Sequence, residues 1–376
     1  MRRLVYDTNG DVYLTFPCSI KQVQAPTGDR ITAPDGTDIA CTEKSHGRCR
    51  PIQLQVTSRV LKSTSRVWRA MLSNEDMAEA LALKSTGSVN ITLPEDNPPC
   101  FVHVMEVIYG TIRRLSKTDA LTLARISTIV DKYEFHEAME RAAMTWYLQF
   151  FPSEIPRKFN NDMILWLWIS WVFRDHRVFT ILTATCQMEA KGPIANPIAK
   201  EIWLPQVIID GIEQRRLDAL TRIHSLFVSK IAEEKRENER LGSSLYEAWL
   251  AMFRPLRAFR IGYLVLEASR VGIPCPLTAV SPKQGFDGVS FQDVSSKLKD
   301  MDDPDNITLG TPSIGSYLPR VIDILGTFVP VFGRVLAQTP VALGDMAHRS
   351  HIKQDFHNLL RDLENELWGL DLTDLI

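Results

Sequence analysis

Residues 51–148 change hydrophobic period in a set order, and that order constrains the chain more than any other stretch. Ile52, Leu54 and Val56 alternate as in a half-buried strand. The spacing then turns helical. Val60, Leu61, Val67, Trp68, Met71 and Leu72 recur at three- and four-residue intervals, with Ser58 placed to cap the helix. Residues 89–93 read as a second short strand. Pro94-Glu95-Asp96 has the composition of a helix start. Phe101, Val104, Met105 and Ile108 share the next helical face, and Gly110 ends it. Residues 111–115 suit a short strand. Two helices follow, 117–132 and 135–148, with Leu121, Ala124, Ile129, Val130 and Tyr133 facing inward from the first.

Upstream, DVYLTFP alternates Val12, Leu14 and Phe16 against Tyr13 and Thr15, after a turn signal at Asn9-Gly10. Between these strands the composition shifts to Pro, Gly, Asp and Thr without periodicity, which predicts a long loop at 18–51.

Taken in order, these segments resemble the BTB/POZ domain, in the form common among large families of filamentous-fungal proteins. SRVLKSTSRVWRAML is similar to the family's apolar pair, serine, aromatic, arginine and methionine. Leu61, Ser65, Trp68 and Met71 hold those places, with Trp68 where Phe is usual. ITLPEDNPPCFVHVMEVIYG resembles the family's strand, acidic-proline turn and helix ending near Tyr-x-Gly. DKYEFHEAMERAA resembles its Asp-Lys-Tyr helix start, and DVYLTFP its first strand, which usually begins with Asp. Two features depart from the pattern. Thr57 and Ser58 stand where many animal members have His-Lys, so a charged groove built on that basic residue does not carry over. The loop at 18–51 is also much longer than the usual tight connection.

The later chain reads as helical. Residues 162–180, with Trp166, Trp168, Trp171, Phe173 and Phe179, are apolar nearly all round, which predicts a buried helix. Further helices are expected at 205–240, 245–271, 317–337 and 345–367, with a flexible linker near 281–309. The end, GLDLTDLI, alternates and suits a segment tucked against the helices. WLPQVIIDGIEQRR and RIGYLVLEASRVGIPCP resemble segments that follow the domain in the fungal family. The implied fold class is α+β: a BTB/POZ-like domain at 1–150, helices over a small sheet, then an all-helical C-terminal extension at 151–376. No repeat of fixed period stands out.

Composition bounds the function classes. With 45% apolar and 23% charged residues the chain is a folded globular one. A formal charge of −2 argues against a generally basic nucleic-acid binder. The longest apolar runs, 163–173 and 321–337, are short or interrupted by polar residues, so no membrane span is expected. MRRLVYDTNG has no apolar stretch behind its arginines, so no signal peptide is expected, and six scattered cysteines fit reduced thiols in an intracellular protein of the cytoplasm or nucleus.

Chemistry is sparse. Cys41, His46 and Cys49 carry zinc-ligand atoms, but a closed site needs a fourth ligand, from Cys18 or a carboxylate. Cys100 opens a helix whose dipole would lower its pKa, although small buried cysteines are common. No nucleotide or nucleophile motif occurs, and no cofactor is expected. His348, His351 and His357 do not share one helix face. Arg254, Arg257, Arg260 and Arg270, with Trp249, Phe253 and Phe259, suit either an Arg/aromatic partner surface or arginines snorkelling over an apolar face.

The resemblance implies a non-enzymatic scaffold or adaptor that binds protein partners. In the family the first strand and first helix often carry homodimer contacts, and later helices can carry a cullin scaffold. The positions implied are Val12, Val60, Leu61, Arg66, Arg113 and Arg114. Residues 110–117 hold no acidic residue, so the hydrophobic-x-Glu element of cullin binders is not in place. A ubiquitin-ligase substrate adaptor, a transcription-associated regulator, and a zinc- or thiol-dependent enzyme remain as alternatives.

Overall fold

The computed structural model describes residues 2–17, 51–111, 120–150, 155–160, 162–194, 203–239, 254–277, 285–302, 304 and 351–375. But for Pro51 and Thr111, the expected loop at 18–51, strand at 111–115 and helix at 317–337 lie outside them. The described chain is a mixed α+β structure, mostly helical, with twelve α-helices and one small sheet.

Four strands form that sheet in the order β1-β3-β2-β4: β1 Arg2–Val5, β2 Val12–Phe16, β3 Ile52–Val56 and β4 Val89–Thr92. The central pair β2 and β3 is antiparallel, while β1 runs parallel to β3 and β4 parallel to β2. The register sets Leu4, Leu54, Leu14 and Ile91 in one row across all four strands, and all are buried. The opposite face is a polar ladder. Arg3 Nη2 donates to Gln55 Oε1 at 2.9 Å, Gln53 Nε2 to Thr15 Oγ1 at 3.2 Å, and Thr15 Oγ1 to Asn90 Oδ1 at 2.7 Å. Alternation reveals β2 and β3. It does not reveal β1, where RRLV buries only Leu4 and the arginines blunt an exposed edge. Gly10 closes the β1–β2 turn because a Cβ there would stand 2.7 Å from the Val56 carbonyl oxygen.

The helix expected over residues 58–72 is two helices, α1 Ser58–Thr64 and α2 Arg66–Ser73. Ser65 is extended between them and caps α2, its Oγ accepting from Trp68 N at 3.0 Å. Thr57, not Ser58, is the residue before α1. The backbone N and Oγ of Ser58 donate to the two carboxylate oxygens of Asp11 at 2.6 and 2.7 Å, so the residue just before β2 supplies the cap. A short α3, Ala78–Thr86, ends at left-handed Gly87. α4, Pro98–Ile108, starts later than Pro94-Glu95-Asp96 suggested. Asn97 caps it, accepting from Cys100 N at 3.2 Å.

Asp96 is instead turned inward. Tyr133 donates its hydroxyl to Asp96 Oδ2 at 2.5 Å, and Lys132 Nζ sits 2.8 Å from Oδ1. Ser65 Oγ donates to the Tyr133 carbonyl oxygen at 2.5 Å. Tyr133 stacks on Trp68 with ring centroids 5.2 Å apart and takes Phe101 edge-on at 5.6 Å. The α1–α2 break, the acidic turn and the end of the helix at Ala120–Lys132 therefore meet at one buried point.

Two helical hairpins follow: α5 Ala120–Lys132 with α6 His136–Phe150, then α7 Asp162–Val172 with α8 His176–Glu189. The apolar run at 162–180 is thus broken rather than one helix. Trp166 and Trp168 are buried, and Trp168 Nε1 donates to the Ala124 carbonyl at 3.2 Å. One hydrophobic core therefore runs past residue 150.

A second core joins α9 Gln206–Glu239, α10 Arg254–Val271, α11 Phe291–Lys299 and α12 Ile352–Glu366. α9 serves both cores, with Ile208 and Ile212 in the first and Leu220, Phe227 and Ile231 in the second. α11 corrects the linker expected at 281–309: Phe291, Val294 and Leu298 are buried, and Ser290 caps the helix. Polar composition masked a short amphipathic helix. After α12 the tail crosses back to put Leu370 and Leu372 into the first core. Arg215 Nη1 donates to the Gly369 carbonyl at 2.6 Å, and Leu370 N to Thr183 Oγ1 at 2.9 Å. No helix among the described residues is long and apolar enough to cross a membrane.

Two substitutions test these joints by urea unfolding. Tyr133→Phe leaves the buried Asp96 without its hydroxyl donor, an expected loss of about 1–3 kcal/mol. Gly369 has φ 109°, and a Cβ there would stand 2.2 Å from the Thr180 carbonyl oxygen, so Gly369→Ala is expected to lose about 2–4 kcal/mol.

Candidate functional site

The α5–α6 and α7–α8 turns are built alike. Glu134 and Arg174 both adopt left-handed backbone, φ 52° and 56°, forty positions apart. In the first turn Phe135 N donates to the Val130 carbonyl at 2.9 Å and Glu134 N to Asp131 at 3.1 Å. In the second, Asp175 N donates to Ser170 at 3.0 Å and Arg174 N to Trp171 at 3.2 Å. Both are Schellman ends, in which a residue other than glycine holds the left-handed position at a cost of about 1–2 kcal/mol. Each turn reads aromatic, charged residue, any residue, histidine: Tyr133-Glu134-Phe135-His136 and Phe173-Arg174-Asp175-His176. That doublet is the sequence signal for the site, too short to show as a repeat of fixed period.

His136 joins the two turns, its Nδ1 lying 3.0 Å from the Val172 carbonyl oxygen. Around this joint two cavities meet, sharing His136, Glu137 and Arg174. One, of 660 Å³, lies between the first turns of α6 and the α7–α8 turn. Ala143, Val172, Phe173 and Val178 provide its apolar surface. Its α6 wall carries Glu137, Glu140 and the exposed Met144, and its other wall carries Arg174 and Arg177. The second cavity, of 590 Å³, is polar and reaches Ser63, Arg66 and Arg69 at the α1–α2 break. The side chains of Glu137, Glu140, Arg66 and Arg174 make no hydrogen bond or ion pair among the described residues. Solvent exclusion raises the Asp131 carboxyl, which also lines the polar cavity; His136 opposes the shift and Glu134 adds to it.

The arrangement can hold a ligand with an apolar ridge and charges of both signs. Groups with strongly raised pKa values lie elsewhere and owe the shift first to burial. The Cys186 thiol is pushed up to about 12, and the Tyr6 and Tyr133 hydroxyls are raised as well. Such groups stay protonated and are poor nucleophiles or bases.

Of the positions implied for partner contacts, Arg66 is exposed at this site and Val60 is half-buried on α1. Val12 and Leu61 are fully buried in the chain's own core, because each points from its element into the sheet–helix interface; they offer a partner no side-chain surface. Arg113 and Arg114 lie outside the described residues, as do Cys18, Cys41, His46, Cys49 and His348. No cluster of three or more metal-ligating side chains occurs among the described residues. Cys100 is buried in the first turn of α4. Three α10 arginines pair with glutamates: Arg260 lies 3.5 Å from Glu234 and Arg257 3.4 Å from Glu237, both on α9, and Arg270 2.6 Å from Glu267 on its own helix. Arg270 also donates to the Lys297 carbonyl of α11 at 2.8 Å, and Phe259 is buried, so these three arginines tie α10 to its neighbours.

Arg174→Gly relieves the left-handed strain and is expected to raise unfolding stability by about 0.5–1 kcal/mol, measured by urea titration.

Comparison of the chain with protein-family models, with curated proteins and with solved structures finds no match.

Proposed function

We propose that this chain is a non-enzymatic protein-interaction scaffold or adaptor of the BTB/POZ type, and that the groove at the paired helix turns receives its partner. The observation that carries this reading is the groove itself. It combines an apolar floor, an exposed Met144 and charged side chains of both signs on its walls, the composition of a surface built to be covered. The family reading draws support from where the motif residues stand. Asp11, Ser65, Trp68, Asp96 and Tyr133 are joined by the hydrogen bonds and ring stacking that hold sheet and helices together. A homodimer formed through the first helix would use Val60 and Arg66 rather than Val12 and Leu61.

Affinity purification followed by mass spectrometry tests the groove. Met144→Glu places a charge at an exposed position and is expected to leave the circular dichroism spectrum unchanged while removing the specific partners held by the unmodified chain. Retention of all partners by Met144→Glu would place the interaction on another surface.

A further inference from the structure

The groove's walls specify what kind of partner segment fits it, an inference that rests on the groove being the partner site. Along α6 the lining residues Glu137, Glu140 and Met144 recur at helical spacing over about two turns. Across from them stand Arg174, Asp175 and Arg177, with the Asp175 carboxylate taken up by capping α8 through Val178 N at 3.0 Å. The α6 wall is therefore acidic and ends in the exposed Met144, and the other wall is net basic. Glu137 and Arg174 line both cavities yet form no ion pair with each other, so their charges remain open to a ligand.

We propose that the groove binds an amphipathic α-helix of a partner protein, with an apolar ridge on the floor, basic residues along one flank and acidic residues along the other. Helices and turns line the groove, and no strand edge does. An extended peptide would leave its backbone N–H and C=O groups unpaired against Ala143, Val172 and Val178. A helix satisfies its own backbone and presents side chains at positions i, i+4 and i+7, matching the length of the α6 wall. The opposed walls select the flanks by charge. Turning the helix end for end exchanges its flanks, so a mixed-flank helix finds one favourable direction, whereas a helix with like charges on both flanks meets repulsion in either direction.

The test uses the full chain and three short synthetic helical peptides with the same leucine ridge. Their flanks are Glu with Lys, Glu with Glu, and Lys with Lys, and fluorescence anisotropy reads binding. The mixed-flank peptide is expected to bind about tenfold more tightly than either like-flank peptide, with the difference shrinking at high salt. Glu137→Lys combined with Glu140→Lys makes both walls basic and is expected to shift the preference to the Glu-with-Glu peptide. Equal binding by all three, no binding, a preference unchanged in the double variant, or equal binding by a proline-interrupted mixed peptide would each overturn the proposal. If Met144→Glu still removes native partners while the peptides show no preference, the groove stands as the partner site and only the helical, mixed-flank occupant fails.

Discussion

The buried contact among Asp96, Tyr133 and Ser65 is the joint on which the first core depends. It ties three separate pieces of chain: the turn after β4, the end of α5 and the break between α1 and α2. Each partner satisfies a polar group that burial would otherwise leave costly. Asp96 is 5% exposed, and its two oxygens are taken by Tyr133 and Lys132. Because these bonds are directional, they fix how α5 enters, and Trp68 and Phe101 then pack on the Tyr133 ring. The α5–α6 turn starts at that same tyrosine. One wall of the groove is thus positioned directly from the meeting of sheet, acidic turn and first helix pair.

The other wall depends on a different constraint. α7 is held against α5 by apolar packing and by Trp168, while α8 is gripped from behind by the returning tail. Leu370 and Leu372 enter the first core after the chain has passed through the whole second core. α9 crosses the same divide in the opposite sense. The helical extension is consequently no independent appendage to α8: its last residues help set where the Arg174 and Arg177 wall stands. Arg216, almost wholly buried, anchors that arrangement further, bonding to Glu213 on its own helix and to the Val289 carbonyl before α11.

What the residues disclose by themselves follows from how local the governing interaction is. β2, β3, β4, α9 and the buried character of α7 are legible because burial on one face, or all round, writes a period into consecutive residues. Ser65 looked like the interior of a helix because Val60, Leu61, Val67 and Trp68 keep helical spacing across it; the break depends on the distant Tyr133 carbonyl. Asp96 looked like a helix-start acid for the same reason, since its partner is thirty-seven residues away. β1 and α11 were hidden because each buries only a few residues and takes its place from neighbours. The groove was illegible as a site, since it is assembled from α6, the α7–α8 turn and the α1–α2 break.

The two left-handed turn residues show how the groove was nonetheless encoded. Gly87 and Gly110 take positive φ where a helix simply stops, and no Cβ contact would follow at either position. At Glu134 and Arg174 the same backbone state is held by residues for which it is unfavourable. The hydrogen bonds of the turns need only backbone atoms, so glycine would serve the fold at both places. Charged side chains of opposite sign stand there instead, both lining the polar cavity beside the groove. The strain therefore sits at the two helix turns that border the cavities, where the backbone hydrogen bonds alone do not call for it.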